Sequence, residues 1–206
     1  MTLSEALGKI KAMAQPVFRT ADIMVALNIR KSHASKLLER LAQHGHVIRL
    51  KRGLWAIPER LEPLALVPHL TAPFPSYVSL QSALYYHDMV SQIPEVIYCI
   101  SLARTRTYTT PVATISVHHI PGSFFFGYEE RGAHHMRMAL PEKALLDLLY
   151  LSQSKSRLFA VLPEVELPPQ FSIKKAYSMI QKIADLRRRS FVLSRFERLL
   201  DQTAQS

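Results

Sequence analysis

The chain has a single cysteine, Cys99, a single tryptophan, Trp55, and six glycines in 206 residues. One thiol cannot staple a fold, so a disulfide scaffold is excluded, and such sparse cysteine fits a reducing cytoplasm. Six glycines leave little material for phosphate-cradling loops; neither a dinucleotide fingerprint nor a Gly-x-Ser-x-Gly elbow occurs. No apolar run is longer than the five residues from Val96 to Ile100, against the roughly 20 that span a bilayer. Lys9 and Lys11 interrupt the start before a signal-like apolar stretch develops, so a cytoplasmic protein with no membrane partner is expected. Acids are scarce too, 16 against 26 Lys and Arg, a formal charge of +10. With 48% hydrophobic residues, the composition supports a core and excludes global disorder.

The charge is not evenly spread. Residues 1–57 hold ten bases and three acids, residues 58–150 six and eight, and residues 151–206 ten and five. A basic head and tail around a near-neutral middle point to a polyanion partner for the head. Pro58, Pro63, Pro68, Pro73 and Pro75 mark a proline-rich linker over 58–75, expected to be extended with at most a short helical turn.

Within the head, Leu3, Ala6, Leu7 and Ile10 recur at helical spacing, and Val17-Phe18 is short and extended. Thr20 is placed to cap a helix over Ala21 to Leu27, with Asp22 in its first turn. Asn28 suits the left-handed residue of a tight turn, and a third helix runs from about Lys31 to Gln43, ending at Gly45. Ala34, Leu37, Leu38 and Leu41 form its apolar stripe; Ser32, Lys36, Glu39 and Gln43 lie opposite, flanked by His33, Ser35 and Arg40. Val47 to Leu50 and Leu54 to Ile57 then read as a hairpin around Lys51-Arg52-Gly53. This order is that of a winged helix-turn-helix, whose third helix enters the major groove. Short hydroxyls beside long cations suit bases and phosphates. The DNA-binding candidates are therefore Ser32, Ser35, Lys36 and Arg40 for the groove, Arg30 and Lys31 for phosphate near the helix start, and Lys51 and Arg52 for the wing. Each cation alone is equally consistent with a solvated face, and some winged helices bind protein. Trp55 reads as packing between wing and helix.

The body, residues 76–206, reads as a mixed α/β domain: a helix over Ser76 to His87 and strands over Val96 to Leu102, Ala113 to Ile120, Phe124 to Tyr128 and His134 to Met138. Pro141 opens a helix apolar nearly all round, and two tail helices follow, about Ile173 to Arg187 and Ser190 to Asp201. The whole is expected to be an α+β protein: an N-terminal winged helix-turn-helix, then a mixed α/β domain with C-terminal helices.

Three stretches carry a family resemblance: Arg49 to Ile57 (Arg-Leu-Lys-Arg-Gly-Leu-Trp-Ala-Ile), Tyr77 to His87 (Tyr-Val-Ser-Leu-Gln-Ser-Ala-Leu-Tyr-Tyr-His) and Leu140 to Leu149 (Leu-Pro-Glu-Lys-Ala-Leu-Leu-Asp-Leu-Leu). In this order, over about residues 1–152, the chain resembles the AbiEi-like antitoxins, the regulator halves of type IV toxin–antitoxin pairs. Asp88 stands where that family carries glycine. The resemblance implies an autorepressor binding inverted repeats in double-stranded operator DNA. It also implies a C-terminal part that neutralises a nucleotidyltransferase-like toxin, in some systems without a stable complex.

Other chemistries have weaker footing. Nine histidines invite a metal, but His118-His119 and His134-His135 are adjacent pairs and His44-Gly45-His46 straddles a helix end, so no metal and no cofactor is expected. Asp147 lies in an apolar helix and needs a partner, expected from Arg104, Arg106 or Arg137 as a structural clamp; acid–base work with Glu142 is the alternative. A nuclease body is the sharpest enzymatic rival, yet no acid is followed two positions later by lysine. No catalytic constellation stands out, and no enzyme activity is expected. A pure interaction module remains, with Arg187-Arg188-Arg189, Arg195 and Arg198 meeting DNA, RNA or an acidic surface, or simply favouring a helix C-terminus.

Overall fold

The computed structural model describes residues 2–131, 136–153, 159 and 161–203. The first unit is α1 (Leu3–Ala12), β1 (Val17–Arg19), α2 (Thr20–Leu27), α3 (Lys31–Gln43), β2 (Ile48–Lys51) and β3 (Leu54–Ala56), with the strands antiparallel in the order β1-β3-β2. Thr2 and Glu5 cap α1 reciprocally. At the start of α2 it is Arg19, not Thr20, that holds the cap position, and Asp22 accepts its backbone N–H at 2.7 Å. The Thr20 hydroxyl instead accepts the Trp55 indole N–H at 3.0 Å.

Residues 58–75 are not an extended connector. Two 3-10 turns (Pro58–Arg60 and Pro63–Ala65) lead into α4 (Leu66–Thr71), whose Leu66, Val67 and Leu70 are buried. Pro68 is tolerated because it falls in the first turn, where its missing N–H has no helical partner anyway.

The second sheet has six strands, β4 (Ser76–Val78), β5 (Val96–Ser101), β6 (Arg106–Thr109), β7 (Thr114–His119), β8 (Tyr128–Arg131) and β9 (Met136–Ala139), in the order β6-β7-β5-β4-β9-β8. The β5–β7 and β4–β9 pairs are parallel and the rest antiparallel. Helices α5 (Leu80–Tyr86), α6 (Pro141–Leu151), α7 (Ile173–Gln181) and α8 (Leu186–Thr203) complete a mixed α+β chain. Among the described residues, no helix is long and apolar enough to cross a membrane.

Several boundaries differ from expectation. Ser76 to Val78 form a central strand with all three residues buried, and the helix starts only at Leu80. Phe124 closes a 3-10 turn (Gly122–Phe124) instead of opening a strand, and β8 begins at Tyr128, because the three phenylalanines turn to different neighbours. Strand β6 was not expected: its Arg-Thr-Tyr-Thr pattern carries little apolar signal. His134 and His135, expected in a strand, lie outside the described residues. Helix α7 stops at Gln181 and α8 starts at Leu186, because Asp185 caps it, accepting the Arg188 backbone N–H at 2.7 Å.

Three helix ends close alike. Asn28 (φ 51), Gly45 (φ 72) and Asp88 (φ 56) each take the left-handed conformation after a helix, and the next residue's N–H returns to a carbonyl five residues back. Asp88 thus adopts the backbone that glycine adopts without strain. We expect Asp88→Gly to leave stability unchanged or raise it by up to about 1 kcal/mol, and Asp88→Val to lower it by about 1–2 kcal/mol. Urea midpoints of the two variants measure the difference, and a loss on Asp88→Gly contradicts the assignment.

Candidate nucleic-acid interface

Helix α3 is held from beneath: Ala34, Leu37, Leu38 and Leu41 are buried against Ile10, Ile23 and Trp55. That anchoring turns Arg30, Lys31, Ser32, Lys36 and Arg40 outward, all exposed, with Ser35 half-buried. Arg52 is exposed in the β2–β3 turn beside Gly53, whose φ of +75 makes that turn tight. Among the described residues, none of these five cations forms an ion pair with a carboxylate.

Lys51 departs from the expected arrangement. Its ammonium turns away from the hairpin tip, donates to the Leu70 carbonyl at 3.0 Å and lies 5.3 Å from the centre of the Tyr108 ring. Burial, then the positive charges of Arg19 and Arg106, hold it below the usual lysine range. Lys51 therefore joins the hairpin to the body. Arg49, unassigned in the sequence, is exposed, with its guanidinium 5.7 Å over Trp55. Trp55 is packing, as expected: it is buried beneath that cation.

No family model matches this chain, and no curated protein matches it.

In the body, the polar residues of α6 converge on a buried cluster rather than a cleft. Lys143 and Asp147, one helical turn apart, are both 0% exposed and form an ion pair. The other Asp147 oxygen accepts hydrogen bonds from the Tyr77 hydroxyl at 3.0 Å and the Ser79 hydroxyl at 2.8 Å. The Lys143 ammonium sits 3.5 Å above the Phe124 ring. Gly127 lies so close to this side chain that a Cβ there would be 3.1 Å from Lys143 Cγ.

The expected arginine partners of Asp147 are thus replaced. Arg137 pairs with Glu130 and Arg106 covers Tyr108, while a lysine on the same helix fills the role. Burial lowers the proton affinity of Lys143 and raises that of Asp147, and the hydrogen bonds and mutual attraction oppose both effects. Leu80, the first residue of α5, takes φ 55, a conformation costly for a bulky residue. Glu142 is also buried; it accepts the Ser172 backbone N–H at 2.9 Å and lies 3.4 Å from the Lys175 ammonium, tying α6 to α7. The pairing of Asp147 with Glu142 in an open cleft is not found.

The tail arginines also differ from expectation. Arg187, Arg188 and Arg189 occupy the first turn of α8, not a helix C-terminus. Arg188 donates to the Tyr150 carbonyl and Arg189 to the Ile183 carbonyl, so these two cap other chain segments. Arg187 is exposed. A surface groove of about 1110 Å3 runs between residues 162–167 and the end of α8; Leu162, Leu167 and Leu199 line it with Glu164, Glu166 and Asp201.

Among the described residues, no three His, Cys, Asp or Glu side chains gather as a metal site. His87 bonds the Ala139 carbonyl and His119 the Ala103 carbonyl. His118 is buried beside Ser116, Tyr98 and Phe159, and burial lowers its pKa to about 4.

Two predictions follow from this packing. Asp147→Ala should cost about 3–5 kcal/mol by leaving Lys143 buried and unpaired, while the double variant Asp147→Leu, Lys143→Met should recover most of it; urea unfolding of both measures this. His118 stays neutral in the folded chain down to about pH 4, whereas the unfolded chain takes up its proton near 6.5. Stability therefore falls as pH drops from about 6.5 to about 4, by about 2–3 kcal/mol from this group. His118→Gln should flatten urea midpoints over that window by this amount.

Proposed function

We propose that residues 1–57 act as a winged helix-turn-helix that binds double-stranded operator DNA, and that the protein is a transcriptional autorepressor. The observation that carries this reading is the exposed face of α3: cations and hydroxyls without carboxylate partners, on a helix fixed from below by four buried residues. The order α1-β1-α2-α3-β2-β3, with the sheet order β1-β3-β2, supports it as the arrangement of a winged helix. In this role Ser32, Ser35, Lys36 and Arg40 enter the major groove, Arg30 and Lys31 hold phosphate at the helix start, and Arg52 leads the wing, with Lys51 bracing it from behind.

The resemblance to AbiEi-like antitoxins extends the proposal. Repression targets inverted repeats of the protein's own operon, and the body, 76–206, neutralises a nucleotidyltransferase-like toxin by contact rather than catalysis, in the cytoplasm. Two of the stretches carrying that resemblance meet in the buried Tyr77–Ser79–Asp147–Lys143 cluster of the body.

Fluorescence anisotropy against the duplex upstream of the gene and a scrambled duplex, across a salt series, tests the DNA reading. Lys36→Ala should weaken operator binding by at least about fivefold, as expected for loss of a base or phosphate contact. Equal affinity of the variant removes α3 from the groove.

A further inference from the structure

Residues 162–167 run between two hollows in the surface of the body. Val165 is buried and ties the segment to the core, and the Glu166 N–H donates to the Met89 carbonyl at 2.9 Å. Glu164 and Glu166, on either side of that anchor, are both exposed. On one side lies the groove of about 1110 Å3, floored by Leu162, Leu167 and Leu199 and bordered by the exposed Asp201 in the last turn of α8. On the other side is a pocket of about 230 Å3, where the same two glutamates meet Tyr85, Asp88 and Met89. The shared glutamates make the two hollows one continuous face. Apolar side chains are open on it as well: Ile173 is 45% exposed and Tyr85 39%.

The charge of this face runs against that of the chain. The formal charge is +10, yet no Lys or Arg lines either hollow and four carboxylates do. Among the described residues, Asp88, Glu164, Glu166 and Asp201 form no ion pair. Carboxylates gathered without counter-charge repel, and an arriving cation relieves that repulsion. The end of α8 adds to the field, because a helix is partially negative at its carbonyl end. Asp88 contributes its carboxylate from a left-handed backbone, φ 56, that glycine adopts without strain.

We propose that this face docks a helix of another protein whose apolar stripe is bordered by lysines or arginines. The stripe enters between Leu162, Leu167 and Leu199, and the flanking cations meet Asp88, Glu164, Glu166 and Asp201. A bare polycation would leave the leucines uncovered, and an uncharged helix would cover the carboxylates without pairing them. A basic amphipathic helix satisfies both features together. Nucleic acid is repelled here by the four carboxylates, so the site is separate from α3. The inference depends neither on the DNA-binding reading nor on the family resemblance.

The test titrates the full-length protein into a fluorescein-labelled synthetic peptide of about 14 residues, four helical turns with a leucine stripe and lysine borders, at about 0.15 M salt. Saturable anisotropy at one peptide per chain is expected. A peptide with glutamate in place of lysine should not bind, and one with serine in place of leucine should bind at least about tenfold more weakly. E164Q/E166Q should weaken binding of the Leu/Lys peptide by about three- to twentyfold, and D88G and I173S by about two- to threefold each. E197Q, on α8 but outside both hollows, should match wild type. Urea midpoints no lower than that of wild type establish that the variants are folded.

Absence of saturable binding by wild type overturns the proposal, as does binding that folded E164Q/E166Q leaves unchanged. Equal binding of the Ser/Lys peptide overturns it too, because the face then attracts cations without docking a helix. An equal loss in E197Q reduces the effect to overall charge and has the same consequence. Sedimentation velocity addresses the remaining occupant: a wild-type dimer that E164Q/E166Q abolishes assigns the face to a second copy of this chain, against the proposal, whereas a monomer that binds the peptide as described supports it.

Discussion

The three-stranded sheet of residues 17–56 is covered on both faces, and the rest of the molecule is arranged around that constraint. Side chains alternate along its strands: Phe18 and Trp55 face the helices, whereas Val17, Leu54 and Ala56 face α4 and the body. A hairpin with one solvated face could swing on its linker. Here all three residues of β3 are buried, so displacing the head would expose apolar surface on two sides. The connection at 58–75 is correspondingly short and folded, with α4 serving as a wedge.

A second organising element is the buried pair on α6. Removing two charges from water is costly, and the attraction between them repays it only with good geometry and further hydrogen bonds. Tyr77 and Ser79 supply those bonds from β4 and its exit, and Phe124 offers the Lys143 ammonium a π face. The cluster specifies how α6 lies across the sheet, because a slip of one residue would carry the ion pair away from the Tyr77 and Ser79 hydroxyls and the Phe124 ring. Cys99, on neighbouring β5 opposite Val78, is also buried, and burial pushes its thiol up, away from the reactive thiolate.

What could be read from the sequence was whatever local rules decide. The stripe on α3 follows from local periodicity, and Asn28 and Gly45 at helix ends and Pro141 at the start of α6 from one residue's own conformational preference; each lies where those rules place it. Misreadings cluster where distant contacts outweigh local pattern. Ser76 to Val78 continue into a helical periodicity but are drawn into the sheet between β5 and β9. Phe124, Phe125 and Phe126 look like a strand, but Phe124 and Phe126 pack edge to face around Lys143 while Phe125 meets Tyr77. The sequence points to arginine as the partner of Asp147 because lysine is rarely buried completely; the spacing of four residues from Lys143 carries the observed pairing. Lys51 reads as a hairpin-tip cation because its aromatic partner, Tyr108, lies 57 positions further along the chain. Of the candidate interface, the face of α3 is legible in the sequence and the commitment of Lys51 to the body is not.

The aromatic residues divide between the two parts of the chain in a way that makes them separately visible. Trp55, the single tryptophan, sits in the helix-facing core of the head, and all eight tyrosines lie at position 77 or later. Emission excited at the red edge of the absorption band therefore comes from the head alone, while tyrosine absorbance and near-ultraviolet dichroism are dominated by the body. Tyrosine-to-tryptophan energy transfer crosses the packed boundary between them. The molecule carries its own pair of optical reporters, and the coincidence or separation of their unfolding curves measures how tightly the doubly covered sheet binds head to body.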